Sequence, residues 1–134
     1  MSWNVFKLTL IGSAVLWLPS CGSNQQLLSI NVTPATVIFG STNPALHAQL
    51  TATGIYTHPP ATKDITTQVT WSSSIAGVAV VDSTGQVSPA GADCGVAGIT
   101  ASLKTNNPTG NIVTGTMSVT VDGPAANNCP TTPI

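Results

Sequence analysis

Few side chains in this sequence of 134 residues could carry out acid–base or nucleophilic chemistry. The histidines are His47 and His58, the four carboxylates are all aspartates, and Glu and Arg are absent. Either histidine, with Asp64 and one of many serines, would supply the groups of a Ser-His-Asp triad. However, no serine lies in a Gly-x-Ser-x-Gly turn or at a fixed spacing from a base. The sequence therefore predicts no catalytic residue and no enzymatic activity.

The aspartates could instead bind a cation such as calcium, which prefers oxygen ligands. They lie far apart in the sequence, in separate predicted turns, at Asp64, Asp82, Asp93 and Asp122. Aspartates in turns normally accept hydrogen bonds from backbone amides two residues further along. We therefore expect structural turn residues, with no metal site and no cofactor.

Cys21 ends a segment with the features of a secretory signal. One cation, Lys7, precedes an apolar run from Leu8 to Leu18, and a small residue, Ser20, stands before the cysteine. A positive start, an apolar core of ~7–15 residues and a small residue before the cut define such signals. A transmembrane helix would need roughly 20 apolar residues, and Pro19 interrupts this run much earlier.

The sequence Leu18-Pro-Ser-Cys21 resembles the lipobox of bacterial lipoproteins. The resemblance implies that residues 1–20 are a signal peptide and that Cys21 is lipidated and becomes the new N-terminus. Residues 21–26 would form a tether of at most about 20 Å. Gly22, where an Asp would signal inner-membrane retention, resembles the outer-membrane sorting signal of enteric lipoproteins. An ordinary cleaved signal or an uncleaved anchor is the alternative.

With Cys21 assigned to the lipid, Cys94 and Cys129 remain. Outside the cytoplasm such a pair is usually oxidised. A disulfide is therefore predicted, tying the tail at residues 123–134 to the loop before a strand at residues 97–103. Two unrelated thiols are the alternative, and no CxxC or HxxxH spacing supports a metal site.

The remainder, residues 21–134, has the length of one domain and almost no charge. Lys63 and Lys104 stand against four aspartates. Two lysines cannot neutralise the phosphates that a nucleic acid presents, so nucleic-acid binding is excluded. The abundant apolar content argues against disorder.

Apolar and polar residues alternate in short runs, which is the period of half-buried β-strands. Turn residues separate the runs, and Asp82–Gly85 is predicted to close a hairpin with a positive φ at Gly85. The sequence predicts an all-β sandwich of about seven strands over residues 27–122. Its predicted buried positions are Ile30, Val32, Leu50, Trp71, Ile99, Val119 and Val121.

Several blocks resemble the bacterial immunoglobulin-like domain of group 2. They are Leu28-Ser-Ile-Asn-Val-Thr-Pro34, Ala45-Leu-His-Ala-Gln-Leu-Thr-Ala52, Asp64-Ile-Thr-Thr-Gln-Val-Thr-Trp-Ser-Ser73, Val80-Val-Asp-Ser-Thr-Gly-Gln-Val87 and Gly98-Ile-Thr-Ala101. The resemblance implies an immunoglobulin-like β-sandwich that serves bacterial surface proteins as a spacer or binding surface and is not itself catalytic.

Two function classes follow. The first is an envelope lipoprotein that presents one immunoglobulin-like module for structural or adhesive protein contacts. The second is a carbohydrate- or ligand-binding module that uses the segment 54–66, where Tyr56 and His58 are the candidate residues. Trp71 could stack on a sugar, but its alternation with Val69 predicts a position in the core. The expected partners are a membrane, through the lipid, and an envelope protein or glycan.

Overall fold

A computed structural model describes residues 25–57, 59–106, 109–123 and 129. Cys21, His58 and the segment interpreted as a signal peptide lie outside these described residues. The described residues form ten strands, more than the seven expected. They are β1 (Gln26–Thr33), β2 (Thr36–Phe39), β3 (Ala48–Gln49), β4 (Thr51–Thr57), β5 (Ala61–Asp64), β6 (Thr70–Ser73), β7 (Ala79–Val81), β8 (Gln86–Pro89), β9 (Gly95–Lys104) and β10 (Ile112–Val121).

One layer is a four-stranded sheet in the order β2-β10-β9-β6. Its long strands β9 and β10 pair antiparallel along their whole length, while β2 pairs parallel to the end of β10. The inner face carries residues such as Ile99 and Val119, which are fully buried. The neighbouring order β6-β9-β10 corresponds to the three-stranded sheet of immunoglobulin-like sandwiches.

The opposite layer consists of two three-stranded sheets, β1-β4-β5 and β3-β8-β7. Apolar and polar residues alternate over residues 46–53, which predicts a single strand, but the structure divides this stretch at Leu50. The Leu50 amide donates a hydrogen bond to the Gly85 carbonyl, 2.8 Å away. As a result β3 pairs with β8, whereas β4, directly after Leu50, pairs with β1 and β5. The all-β sandwich is confirmed, with more and shorter strands than expected.

The core confirms six of the predicted buried positions and corrects the seventh. Six of them, Ile30, Val32, Leu50, Ile99, Val119 and Val121, are at most 7 % exposed. Trp71 is only half-buried, although it packs against the core. The reason is its place on β6, an edge strand, where the indole Nε1 donates to the Thr66 carbonyl at 2.9 Å.

A β-bulge in β1 changes the expected pattern at its start. The alternation of Leu28 with Ile30 places both on the core side, yet Leu28 is 58 % exposed and Leu27 is buried. The register of β1 against β4 shifts between Leu27 and Ser29, so the extra residue at Leu28 leaves the ladder.

The predicted hairpin turn at Asp82–Gly85 is confirmed. Gly85 has a φ of 81°, and its amide donates to the Asp82 carbonyl at 3.1 Å. A side chain at Gly85 would also meet the Leu50 carbonyl oxygen, 2.8 Å from an added Cβ. Glycine is therefore required by the backbone angle and by the contact with the neighbouring strand.

The disulfide between Cys94 and Cys129 is present, with Cα atoms 5.5 Å apart. It joins the start of β9 to chain beyond β10, as predicted. Gly123 passes directly beside it, because an added Cβ there would overlap the Sγ atoms of both cysteines. For a sequence separation of 35, loop-closure entropy corresponds to about 3–4 kcal/mol of stabilisation.

No helix among the residues that the structure describes is long and apolar enough to cross a membrane.

Core packing can be tested by truncating the same residue type at a buried and an exposed position. Ile99 is fully buried on β9, whereas Ile38 on β2 is 70 % exposed. We expect Ile99→Ala to lower the free energy of unfolding by about 2–5 kcal/mol, because it removes buried methyl groups and leaves a cavity. Ile38→Ala should change it by less than about 0.5 kcal/mol. Urea unfolding of both variants measures the difference, and equal losses would contradict this packing.

Candidate functional site

Thr66 joins the two layers of the sandwich. Its hydroxyl accepts a hydrogen bond from the Ala52 amide at 3.0 Å and donates one to Asp64 Oδ1 at 2.6 Å. Its amide also donates to Asp64 Oδ1, and its carbonyl accepts from the Trp71 indole. The side chain is buried, so each of these groups needs a partner. Thr66 therefore acts as a structural junction between β4, β5 and β6.

The turn at Asp82 repeats this arrangement at the surface. Asp82 Oδ1 accepts from the Thr84 hydroxyl at 2.7 Å and from the amides of Thr84 and Gln86. The Thr84 hydroxyl, followed by the Gln86 amide, lowers the pKa of Asp82 below its ordinary value. At Asp64 the hydroxyl and then the amide of Thr66 lower the pKa in the same way. Both carboxylates hold turns, as the sequence predicted.

His47 and Asp64, the candidate catalytic residues that the structure describes, have separate hydrogen-bond partners. His47 lies just before β3, exposed, with Nδ1 3.2 Å from the Ala45 carbonyl oxygen. Asp64 is the last residue of β5, lies opposite Thr53 of β4 and accepts a hydrogen bond from the Thr66 hydroxyl. Within the described ranges, no group of three His, Cys, Asp or Glu side chains could hold a metal ion. The alternation of residues 46–53 predicts a place on a strand for His47, whereas His47 belongs to the connection before β3.

The segment 54–66, interpreted as a loop, is mostly a β-hairpin. β4 continues to Thr57, and β5 returns against it with Tyr56 opposite Ala61. The β-favouring run Ile55-Tyr-Thr57 could have revealed the first strand, but Pro59 and Pro60 after His58 indicated a loop. The prolines in fact occupy the hairpin tip.

Tyr56, one of the two candidate ligand residues, contributes to this hairpin. Its ring is half-buried and lies over Gly54, where an added Cβ would be 2.9 Å from Tyr56 Cε2. Lys63 Nζ lies 5.0 Å from the ring centroid, within cation–π range. Lys63 also donates to Gln25 Oε1, and Gln25 Nε2 donates to the Pro59 carbonyl at 3.4 Å. The hairpin tip is thereby joined to the start of β1.

A surface that the sequence analysis missed covers the outside of the four-stranded sheet. We call it the hydroxyl face, because its cross-strand neighbours are mostly Ser and Thr. The face consists of four rows, which we call ranks, each made of three residues that lie directly opposite one another on neighbouring strands. The ranks are Thr70, Ser102 and Thr114; Ser72, Thr100 and Thr116; Gly98, Ser118 and Thr36; and Val96, Thr120 and Ile38. Each strand shows the alternation, but only the register reveals that the hydroxyls form one continuous array.

The four ranks of the hydroxyl face contain no charged residue. Lys104 and Ile112 are cross-strand partners beyond the last rank of hydroxyls, and Ile112 is 66 % exposed. At the other end lies the exposed Ile38. The arrangement therefore offers hydrogen-bond donors and acceptors over a neutral area, with one exposed apolar side chain at each end.

The chain matches no protein-family model and no curated protein.

The Thr66 junction can be tested by removing only its hydroxyl. Thr66→Val leaves the buried Ala52 amide without an acceptor, which should lower the free energy of unfolding by about 1–3 kcal/mol. Thr66→Ser retains the hydroxyl and should restore most of the loss. Urea unfolding at neutral pH measures both, and a fully stable Thr66→Val variant would contradict the junction.

The same variants should change the acid dependence of stability. Since the pKa of folded Asp64 is lowered, its contribution is present above the ordinary value of 3.8 and is lost as pH falls through the lowered pKa. Thr66→Val should raise the pKa of Asp64, so that less of the free energy of unfolding is lost as pH falls. Thr66→Ser should change neither the pKa nor this loss of stability. Carboxyl-carbon NMR titration reports the pKa directly.

Proposed function

We propose that this protein is a non-catalytic lipoprotein of the bacterial cell envelope. It presents a single immunoglobulin-like module, similar to the bacterial group 2 domains, for structural or adhesive contacts with other envelope proteins. The observation that carries the proposal is the hydroxyl face, a neutral surface on two ten-residue strands and their two shorter neighbours.

The composition of this face suits a protein partner. Interface centres are depleted in charged residues, because removing a charge from water is costly unless it is paired. Short hydroxyl side chains lose little conformational freedom on binding and can donate or accept hydrogen bonds. Thr100 and Thr116, paired across β9 and β10 near the middle of the face, have these properties. The exposed apolar residues at its ends would add desolvation energy.

The size of the face indicates a weak contact. With strands about 4.8 Å apart and about 3.3 Å per residue, its area is on the order of 450 Å². A standard stable interface buries about 800 Å² on each partner. A module of this kind becomes effective when both partners are held on one membrane, since a shared surface raises their effective concentration. The lipid anchor proposed at Cys21 would supply that condition.

A carbohydrate site on the segment 54–66 receives less support from the geometry. Sugar recognition would require an exposed aromatic ring, and Tyr56 packs over Gly54 with Lys63 near the ring. Trp71, the other aromatic considered, is directed toward Thr66 and the core.

The contact surface can be tested with a photo-reactive amino acid placed at Thr116 in the native host. We expect illumination to give a discrete cross-linked protein from this position. The same amino acid at Asn31, an exposed residue of β1 outside the hydroxyl face, should give none. A charge introduced by Thr116→Asp should lower cross-linking from Thr100 at least tenfold, and Asn31→Asp should leave it unchanged. Equal cross-linking from Thr116 and Asn31 would contradict the proposed face.

The anchor can be tested with Cys21→Ser. We expect this variant to accumulate as an uncleaved precursor or to leave the membrane fraction, because a serine hydroxyl cannot form the thioether-linked lipid. Ser23→Ala, two residues further along, should behave as the parent chain does. Mass spectrometry of the N-terminal peptide gives the modification directly. A Cys21→Ser protein that is processed and membrane-bound like the parent would overturn the lipoprotein assignment.

A further inference from the structure

The start of β1 and the tip of the β4–β5 hairpin lie at one end of the sandwich. Gln26, the first residue of β1, is opposite Thr57, the last residue of β4. β5 begins at Ala61, opposite Tyr56. The chain therefore enters the domain beside the hairpin tip, where Gln25 bonds to Pro59 and Lys63.

The last residue of β9 and the first residue of β10 lie at this same end. The Ile30 carbonyl lies against Gly115, and further along the Ala35 carbonyl accepts from the Ser118 amide. β1 therefore runs in the same direction as β10, and its first residue lies near Ile112, where β10 begins. Lys104, the last residue of β9, is opposite Ile112.

Both lysines of the chain after Cys21 are gathered at this end. The described residues that supply it, 25–31, 54–57, 59–63, 102–106 and 109–114, include Lys63 and Lys104 and no Asp or Glu. All four aspartates lie outside these segments. The nearest in sequence, Asp64, is opposite Thr53, further from the hairpin tip, and its Oδ1 accepts from Thr66. The domain is thus positive at the end where the chain enters, although aspartates outnumber lysines overall.

Exposed apolar side chains accompany the two lysines. Leu28 is 58 % exposed in the β1 bulge, and Ile112 is 66 % exposed beside Lys104. Tyr56 is half-buried between Lys63 and the core, so the exposed groups at this end are amines and aliphatic side chains. A surface that combines these groups suits lipid headgroups better than it suits bulk water.

The tether leaves this end little freedom to turn away from a membrane. Only residues 22–24 separate Cys21 from Gln25, so the two Cα atoms can be at most about 14 Å apart. Gln25 is itself held to the hairpin by Pro59 and Lys63. Electrostatic attraction in physiological salt acts over about 8 Å, which is comparable to the reach of the tether.

We propose that this end of the domain, defined by Pro59 and Lys63 of the β4–β5 hairpin and by Lys104 and Ile112 where β9 ends and β10 begins, rests on anionic phospholipid headgroups, with Lys63 and Lys104 binding their phosphates. The proposal rests on the lipid anchor of the proposed function. Each lysine near an anionic surface favours the contact roughly fivefold. The hydroxyl face then stands upright on the membrane, where a partner anchored in the same membrane can reach it.

The test supplies the anchor chemically. Residues 21–134 contain a single free thiol, Cys21, because Cys94 and Cys129 are bridged. That thiol is coupled to a maleimide-bearing lipid in nanodiscs that also contain a gadolinium-labelled headgroup. Paramagnetic broadening of amide NMR signals then reports which residues lie near the headgroups. A failure of native lipidation would appear only in the Cys21→Ser experiment and would leave this measurement intact.

On phosphatidylglycerol discs we expect strong broadening at residues 55–63 and 103–112 and little at residues 39–41 and 93–96, which lie at the opposite end. Lys63→Gln with Lys104→Gln should reduce the contrast between the two ends severalfold, as should uncharged phosphatidylcholine discs or high salt. Lys63→Arg with Lys104→Arg should retain it. Amide spectra of each variant confirm the fold. If the difference in broadening between the two ends is independent of lipid charge, or is unchanged in the glutamine variant, the proposal is overturned.

Discussion

The sandwich depends on the hydrogen bonds of Thr66 at the point where the chain crosses between layers. β5 ends at Asp64 in one layer and β6 begins at Thr70 in the other, and the intervening turn must leave no buried polar group unpaired. Thr66 meets this requirement by bonding to Asp64, Ala52 and Trp71. One buried threonine thus fixes the path of the crossover and the position of the edge tryptophan.

The position of the β3-β8-β7 sheet also depends on contacts beside Thr66. The Leu50 amide, one residue before β4, bonds to the Gly85 carbonyl. An added Cβ at Gly85 would be 3.0 Å from Thr66 Cγ2, so the β7–β8 turn fits closely against the junction. Gly85, which has a positive φ and no side chain, lets the turn lie close to the Leu50 backbone. The fully buried Leu50 side chain fills the core beneath the turn. The backbone contacts of Leu50 and Gly85 therefore position the β3-β8-β7 sheet against the Thr66 junction.

The sequence was sufficient for the all-β class, the Asp82–Gly85 turn and most of the core, because those signals are local. Ile99 and Val119 follow strict alternation on long strands, and both are fully buried. The bulge at Leu28 could not be predicted, since an extra residue reverses the pattern without a change in composition. Trp71 was placed too deep because its edge position depends on strand order, a property of the whole sheet. The hydroxyl face was missed for the same reason.

The distribution of charge links the fold to its proposed place in the envelope. With so few ionisable residues, the solubility of the domain depends on neutral hydroxyls and amides, and the lysines are free to act locally. Lys63 also protects β5, an edge strand, from pairing with another chain, since a charge there would have to be desolvated. β5 begins at the hairpin tip, at the end of the domain where the chain enters. The Lys63 side chain therefore joins Gln25 to the hairpin, protects the edge of the sheet and contributes, with Lys104, the positive charge of that end.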